Sequence, residues 1–197
     1  MKSNTPREAI IVREASWATI ALVLVATFGL ITVVLLPTIF VRLRPLGDGL
    51  ANLVIFLGIF VVAIGGAAFV FGGLRPRDVG LRLSKLTEAV IVVACVWSVI
   101  QAAHAVAGWL SHGSIQWDDA WQRFGVTDRL LWLAIMVLGT ALMEETVFRG
   151  FFFPQLYLKT PGSPRTRFWV AAIAAGILFG LFHLPRHLLL ALRLDHA

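Results

Sequence analysis

Five apolar segments, each close to the length needed to cross a lipid bilayer, constrain the fold of this chain most strongly. A membrane-spanning helix needs about 20 apolar residues, and the segments run over Trp17–Val41, Leu53–Leu74, Glu88–Leu110, Leu130–Phe153 and Phe168–Leu192. Of the 197 residues, 58% are hydrophobic and only 14% are charged, whereas soluble domains average roughly 25% charged residues. The sequence therefore predicts an all-α, polytopic membrane protein that forms one transmembrane helical domain over residues 1–197.

The basic residues are distributed among short loops rather than gathered in a run. The formal net charge is +6, but no stretch combines basic and aromatic residues in the way that nucleic-acid-binding segments do, so we expect no nucleic-acid partner. Ten Lys and Arg residues lie in loops on the side of the amino terminus and six on the opposite side. Because positively charged loops are retained inside, the amino terminus is predicted to be cytoplasmic.

A short helix lying in the membrane interface is predicted between the third and fourth segments. In the stretch Ile115–Gly125, three aromatic residues recur at helical spacing, namely Trp117, Trp121 and Phe124. An apolar aromatic face opposite polar residues is typical of interfacial helices.

Two adjacent carboxylates, Glu144 and Glu145, lie inside the fourth apolar segment. Ionisable groups at membrane depth are costly and persist mainly where they face the interior, pair with each other or serve function. Residues four apart share a helix face, so Glu145 is expected to pair with Arg149, while Glu144 has no partner on its own helix. Glu144 is thus suited to accept a proton. A buried ion pair that only ties helices together is the alternative, but it leaves Glu144 unexplained.

The fifth segment carries His183 on the same helix face as Gly176 and Gly180, with Phe179 beside it. Small residues four apart allow a neighbouring helix to approach, which predicts that this face packs against another span. At 1.5 Å rise per residue, His183 and Glu144 lie within ~3–5 Å of the same depth. We therefore expect the two side chains to be separated by no more than one water, a pair able to activate water or hold a metal ion.

These two motifs resemble those of the CAAX protease and bacteriocin-processing family of intramembrane endopeptidases, also called the Abi family. The family motifs are Glu-Glu-x-x-x-Arg and, on the next span, Phe-x-x-x-His. The matching residues here are Glu144, Glu145 and Arg149, followed by Phe179 and His183. The connector Asp78–Arg82 is also similar to a stretch that precedes the family core, so the family-like core is predicted to cover about residues 78–192.

The resemblance implies an intramembrane protease, similar to CAAX prenyl endopeptidases, that hydrolyses a peptide bond in a membrane-associated peptide or protein. Glu144 would then be the general base acting on a water that His183 positions or polarises, with Glu145, Arg149 and Phe179 as supporting residues. The implied partners are membrane lipid and the membrane-associated substrate. Because the family is often labelled metalloprotease, zinc is the candidate cofactor, with Glu144 and His183 as candidate ligands.

The sequence departs from the family at a third motif, a histidine followed four residues later by asparagine or aspartate on a further helix. After the fifth span the only histidine and the only aspartate are His196 and Asp195, in a different order and spacing. His187 is a weaker substitute, because Pro185 is expected to disturb the helix before it. Since an oxyanion donor is worth roughly 10²–10³ in rate, the departure predicts a weakened protease.

Two non-protease alternatives stay open at this point. The first is a catalytically impaired family member that acts as a membrane binding or partner subunit, which the missing third motif favours. The second is a transporter or proton-relay subunit, since intramembrane Glu and His also build proton paths. The intramembrane ionisable residues lie on two spans, which argues against a relay across the whole bilayer.

Overall fold

The computed structural model describes residues 12–34, 48–82, 84, 86–114 and 125–194, with the backbone alone for residue 48 and residues 186–194. No strand occurs within these ranges, and they contain five helices long and apolar enough to cross a membrane. We number the helices α1 (Trp17–Val34), α2 (Gly49–Phe71), α3 (Leu86–His112), α4 (Val126–Lys159) and α5 (Pro164–Leu194). The predicted all-α class with five spans is confirmed.

The helices end elsewhere than the hydropathy pattern predicted. Helix α4 continues through Pro154 to Lys159. Helix α5 also continues past Pro185 to Leu194. Residues 35–41 of the first predicted segment lie outside the described residues, as do residues 115–124 of the predicted interfacial helix.

The chain divides into two compact units, one of residues 1–81 and 135–197 and the other of residues 82–134. The second unit contains α3, in which no residue is buried, and the first turns of α4. The first unit contains α1, α2, the remainder of α4, and α5. Every residue of the predicted site lies in the first unit.

The core of the first unit is aliphatic and aromatic. Its largest fully buried side chains include Phe151 and Phe152 of α4 and Ile59 of α2. The ring of Phe182 on α5 contacts Phe28 of α1 at a centroid distance of 6.2 Å, edge to face. Because lipid tails are as apolar as these side chains, close packing rather than water exclusion holds such helices together.

Residues 12–16, which precede α1, form a segment that we call the amino-terminal strap. Hydrogen bonds join backbone groups of this strap to a side chain of α4. The fully buried Gln155 accepts a hydrogen bond from the Ala15 N–H at 2.7 Å and donates one to the Arg13 carbonyl at 2.9 Å. Asp78, in the 3₁₀ turn that precedes α3, accepts a longer bond from the Arg13 N–H at 3.4 Å. Gln155 thereby satisfies the buried N–H of Ala15 and, together with Asp78, binds partly buried backbone groups of Arg13.

A glycine allows the 3₁₀ turn Pro76–Val79 to pack directly on α4. A Cβ atom at Gly150 would collide with the carbonyl of Val79, which is backbone and cannot rotate away. Gly80, directly after the turn, has a left-handed φ of 82° that L side chains rarely adopt. Gly150 therefore lets the turn contact the helix that carries the site, and Gly80 lets the chain change direction directly after the turn.

Candidate active site

The structure brings together a carboxylate from α4 and an imidazole from α5. The distance between Glu144 Oε1 and His183 Nε2 is 3.5 Å, and the two side chains are 17% and 35% exposed. The two residues thus lie at one depth, and the expectation that no more than one water would separate them is confirmed. The pair is enclosed mostly by protein yet remains partly open, as a site that must admit a reactant requires.

The hydrogen bonding of His183 determines which ring nitrogen faces the carboxylate. Its Nδ1 lies 3.0 Å from the carbonyl oxygen of Phe179, one helical turn earlier. Because a carbonyl can only accept, Nδ1 carries the hydrogen, and in the neutral ring Nε2 is left as an acceptor. At 3.5 Å, Nε2 is beyond the usual 2.7–3.2 Å hydrogen-bond distance from Glu144. A water lying beside the pair can donate to both atoms.

An aromatic cluster holds the imidazole in this orientation. The ring of Phe179 lies 4.6 Å from the ring of His183, and that of Phe182 lies 5.5 Å from it. Phe148 of α4 contacts Phe179 edge to face at 5.3 Å, and is itself buried. Sequence reasoning singled out Phe179 but missed Phe148 and Phe182, although Phe148 follows Glu144 by one helical turn.

Glu145 and Arg149 form the predicted pair on one helix face. Arg149 Nη1 lies 2.7 Å from one carboxylate oxygen of Glu145 and 2.8 Å from the other. The side chains are 55% exposed for Glu145 and 78% for Arg149. Successive residues on a helix differ by about 100°, so this pair is directed away from the Glu144 and His183 pair.

The face of α4 that bears this ion pair borders a groove of about 350 Å³. Val79, Gly80 and Leu81 also line this groove, so the turn before α3 shapes it. Its lining is mainly apolar, with the ion pair as its charged edge. The connector that resembled the family at sequence level is thus in contact with the first motif.

The glycines of α5 do not pack as predicted. Among the described residues, no atom lies within 4 Å of a Cβ built at Gly176 or Gly180. The buried positions of this helix are instead Ala171, Ala175 and Phe182. The expectation that another helix approaches closely at these glycines was wrong. A pattern of small residues permits close approach but does not determine which face of the helix packs against its neighbours.

The ligand set does not fit a zinc ion of the usual catalytic kind. Such an ion takes three protein ligands and a water, whereas Glu144 and His183 supply two. Within the described part of the chain, no group of three or more His, Cys, Asp or Glu side chains is close enough to share a metal ion. The side chain of His187 lies outside the described residues. The carboxylate of Glu144 and the imidazole of His183 are therefore the groups that this site offers for chemistry.

Comparison with known proteins identifies the part of the chain that carries this site. Residues 126–194 match the family model described as type II CAAX prenyl endopeptidase Rce1-like. The matched segment, about a third of the chain, contains both motifs, and the resemblance inferred from them is confirmed. The matched segment begins after the connector of residues 78–82. No curated protein and no solved structure matches the chain.

Proposed function

We propose that this integral membrane protein is an endopeptidase that hydrolyses a peptide bond within the membrane, using a water activated by Glu144. The observation that carries the proposal is the 3.5 Å approach of Glu144 Oε1 to His183 Nε2 inside a segment matched to a family of prenyl endopeptidases. Glu144 belongs to the first motif and His183 to the second, and a purely structural contact between helices gives no reason for this coincidence.

The reaction begins with a water bonded to both groups. One O–H donates to the Glu144 carboxylate and the other to His183 Nε2, which leaves an oxygen lone pair free to attack the substrate carbonyl. As the new C–O bond forms, Glu144 takes the proton and the carbonyl oxygen becomes an oxyanion. Glu144 then returns the proton to the leaving nitrogen as the C–N bond breaks, and the products are a carboxylic acid and an amine.

His183 acts by orienting the water rather than by taking its proton. In the neutral ring, the bond from Nδ1–H to the Phe179 carbonyl selects the tautomer with its lone pair on Nε2 and directs Nε2 at the site. Packing of the Phe179 and Phe182 rings restricts rotation of the imidazole. A water held at two points loses orientational freedom before the reaction, which lowers the entropic part of the barrier.

The position of the pair indicates the substrate class. Glu144 and His183 lie within helices long and apolar enough to cross the membrane, so the scissile bond must enter the bilayer or its boundary. Peptides and proteins anchored in the membrane satisfy this requirement. The matched family is described by CAAX prenyl substrates, and a lipid-modified peptide of that type is the proposed first substrate to test.

Cleavage of membrane-anchored peptides by the purified protein in lipid vesicles tests the proposal. Replacing Glu144 by Gln removes the base but conserves size, and since general-base catalysis contributes about 10²–10⁴ in rate, the variant should lose at least about 10²-fold in kcat. Glu145→Gln is the matched control, because the same change on the adjacent residue leaves the His183 pair intact. It should retain measurable cleavage.

Two outcomes would contradict the proposal. Equal cleavage by the wild type and by Glu144→Gln would remove Glu144 from the role of base. No cleavage by the wild type across lipid-modified and unmodified anchored peptides would favour a binding subunit that keeps the fold.

A further inference from the structure

The polar ends of four spans meet on one side of the first unit. Helix α1 begins at Trp17, α2 ends at Phe71, α4 ends at Lys159 and α5 begins at Pro164. The amino-terminal strap, the turn that follows α2 and the adjoining ends of α4 and α5 carry six cationic side chains, which we call the basic face. Its members are Arg13, Arg75, Arg77, Lys159, Arg165 and Arg167.

Direct contacts hold these ends together. Arg13 Nη1 donates to the carbonyl of Gly73, just after α2, at 2.9 Å. Lys159 forms an ion pair of 2.6 Å with Glu14 and lies 5.3 Å from the centre of the Trp17 ring, so α4 ends at the level where α1 begins.

Helix α5 is tied to the end of α4 in the same way. Arg167 donates from Nε to the carbonyl of Tyr157 at 2.9 Å, and its guanidinium lies 4.5 Å from the centre of the Tyr157 ring. The basic face is therefore a feature of the fold rather than of separate loops.

The positive charge of this face is not balanced within the described residues. Its two carboxylates are engaged: Glu14 pairs with Lys159, and the buried Asp78 accepts bonds from backbone N–H groups. Three exposed arginines have no carboxylate within ion-pair distance in the described part of the chain. These three, the free arginines, are Arg75, Arg77 and Arg165.

Exposed tryptophans place the basic face at the level of the lipid headgroups. Trp17 opens α1 and is 61% exposed, and Trp169 lies in the second turn of α5 and is 56% exposed. Tryptophan rings concentrate at the boundary between hydrocarbon and water. The free arginines lie at the same helix ends, in the turn that follows α2 and in the first turn of α5.

We infer that the basic face binds the headgroups of anionic phospholipids, an interaction that does not depend on the proposed protease activity. A guanidinium presents paired N–H donors that match phosphate oxygens. Uncompensated arginines at a negatively charged leaflet gain roughly fivefold in affinity each, whereas zwitterionic lipids offer no net charge. A phospholipid, rather than free phosphate, is the expected ligand, because its acyl chains also cover the apolar surfaces of the helices next to the basic face.

Native mass spectrometry of the purified full chain, with phosphatidylglycerol and phosphatidylcholine in equal amounts, tests this inference. The wild type should retain phosphatidylglycerol about tenfold or more over phosphatidylcholine. The triple variant with Arg75→Gln, Arg77→Gln and Arg165→Gln should lose most of this preference. The matched variant with Lys at the same three positions keeps the charge and should keep the preference.

The ratio of the two lipids is measured within each protein, so a change in overall stability does not imitate the result. Equal retention of both lipids by the wild type would overturn the inference, as would an unchanged ratio in the Gln variant. Thermal stabilisation of the wild type by inorganic phosphate equal to that by phosphatidylglycerol would also overturn it, because the site would then bind the free anion.

Discussion

The two hydrogen bonds of the Gln155 side chain predict how much a substitution at this position should lower the free energy of unfolding. Its side-chain amide bonds the N–H of Ala15 and the carbonyl of Arg13, and both Gln155 and Ala15 are almost fully buried. In Gln155→Leu the volume is nearly conserved, but both backbone groups lose their partner. A buried polar group without a partner costs about 1–3 kcal/mol, and because the Arg13 carbonyl is only partly buried, the two together should cost about 2–5 kcal/mol.

The corresponding loss in melting temperature is large enough to measure. For a chain of this size each kcal/mol shifts the melting temperature by about 2–4 °C, which predicts a decrease of roughly 4–20 °C for Gln155→Leu. The assay is thermal unfolding in detergent, followed by the intrinsic fluorescence of the seven tryptophans.

A matched substitution separates the hydrogen bonds from the change in residue type. Gln101 lies exposed on α3, and Gln101→Leu makes the same chemical change without removing a bond to the strap. It should melt like the wild type. If Gln155→Leu melts within about 2 °C of Gln101→Leu, the amide does not fasten the strap and the reasoning is refuted.

Two further predictions concern packing at α4 and at the imidazole. Gly150→Ala should destabilise the protein by about 1–3 kcal/mol, because the new Cβ meets the Val79 carbonyl. Gly176→Ala, at an open position, should be neutral or slightly stabilising; equal melting temperatures for the two variants would contradict this packing. Phe179→Leu keeps the backbone bond to His183 but removes the ring contact, and should lower kcat of peptide cleavage with little change in melting temperature. An unchanged kcat would show that the ring does not orient the imidazole.

Much of the site could be predicted because the positions of its residues depend on spacing within one helix or between two consecutive helices. The spacing of Glu145 and Arg149 is one helical turn, so any helix places them together. Depth could be counted from the loop between α4 and α5, since both helices rise by a regular amount per residue. That count placed Glu144 and His183 at one level, and the observed 3.5 Å separation agrees with it.

The packing of the site could not be predicted in the same way. Gly176 and Gly180 formed a clear small-residue pattern, yet Ala171, Ala175 and Phe182 provide the buried face. The rotation of a helix about its axis depends on which side chains of other helices interlock with it. No spacing within one segment contains that information.

The sequence by itself determined that this chain forms membrane-spanning helices and that one carboxylate lacks a partner on its own helix. Both follow from composition and from periodicity within a single segment. Only the tertiary structure decided that Gln155 binds Ala15, 140 residues away in the sequence, and that Val79 packs on Gly150. The reason is that such contacts depend on the simultaneous packing of several helices, in which each side chain has many candidate partners until the others are in position.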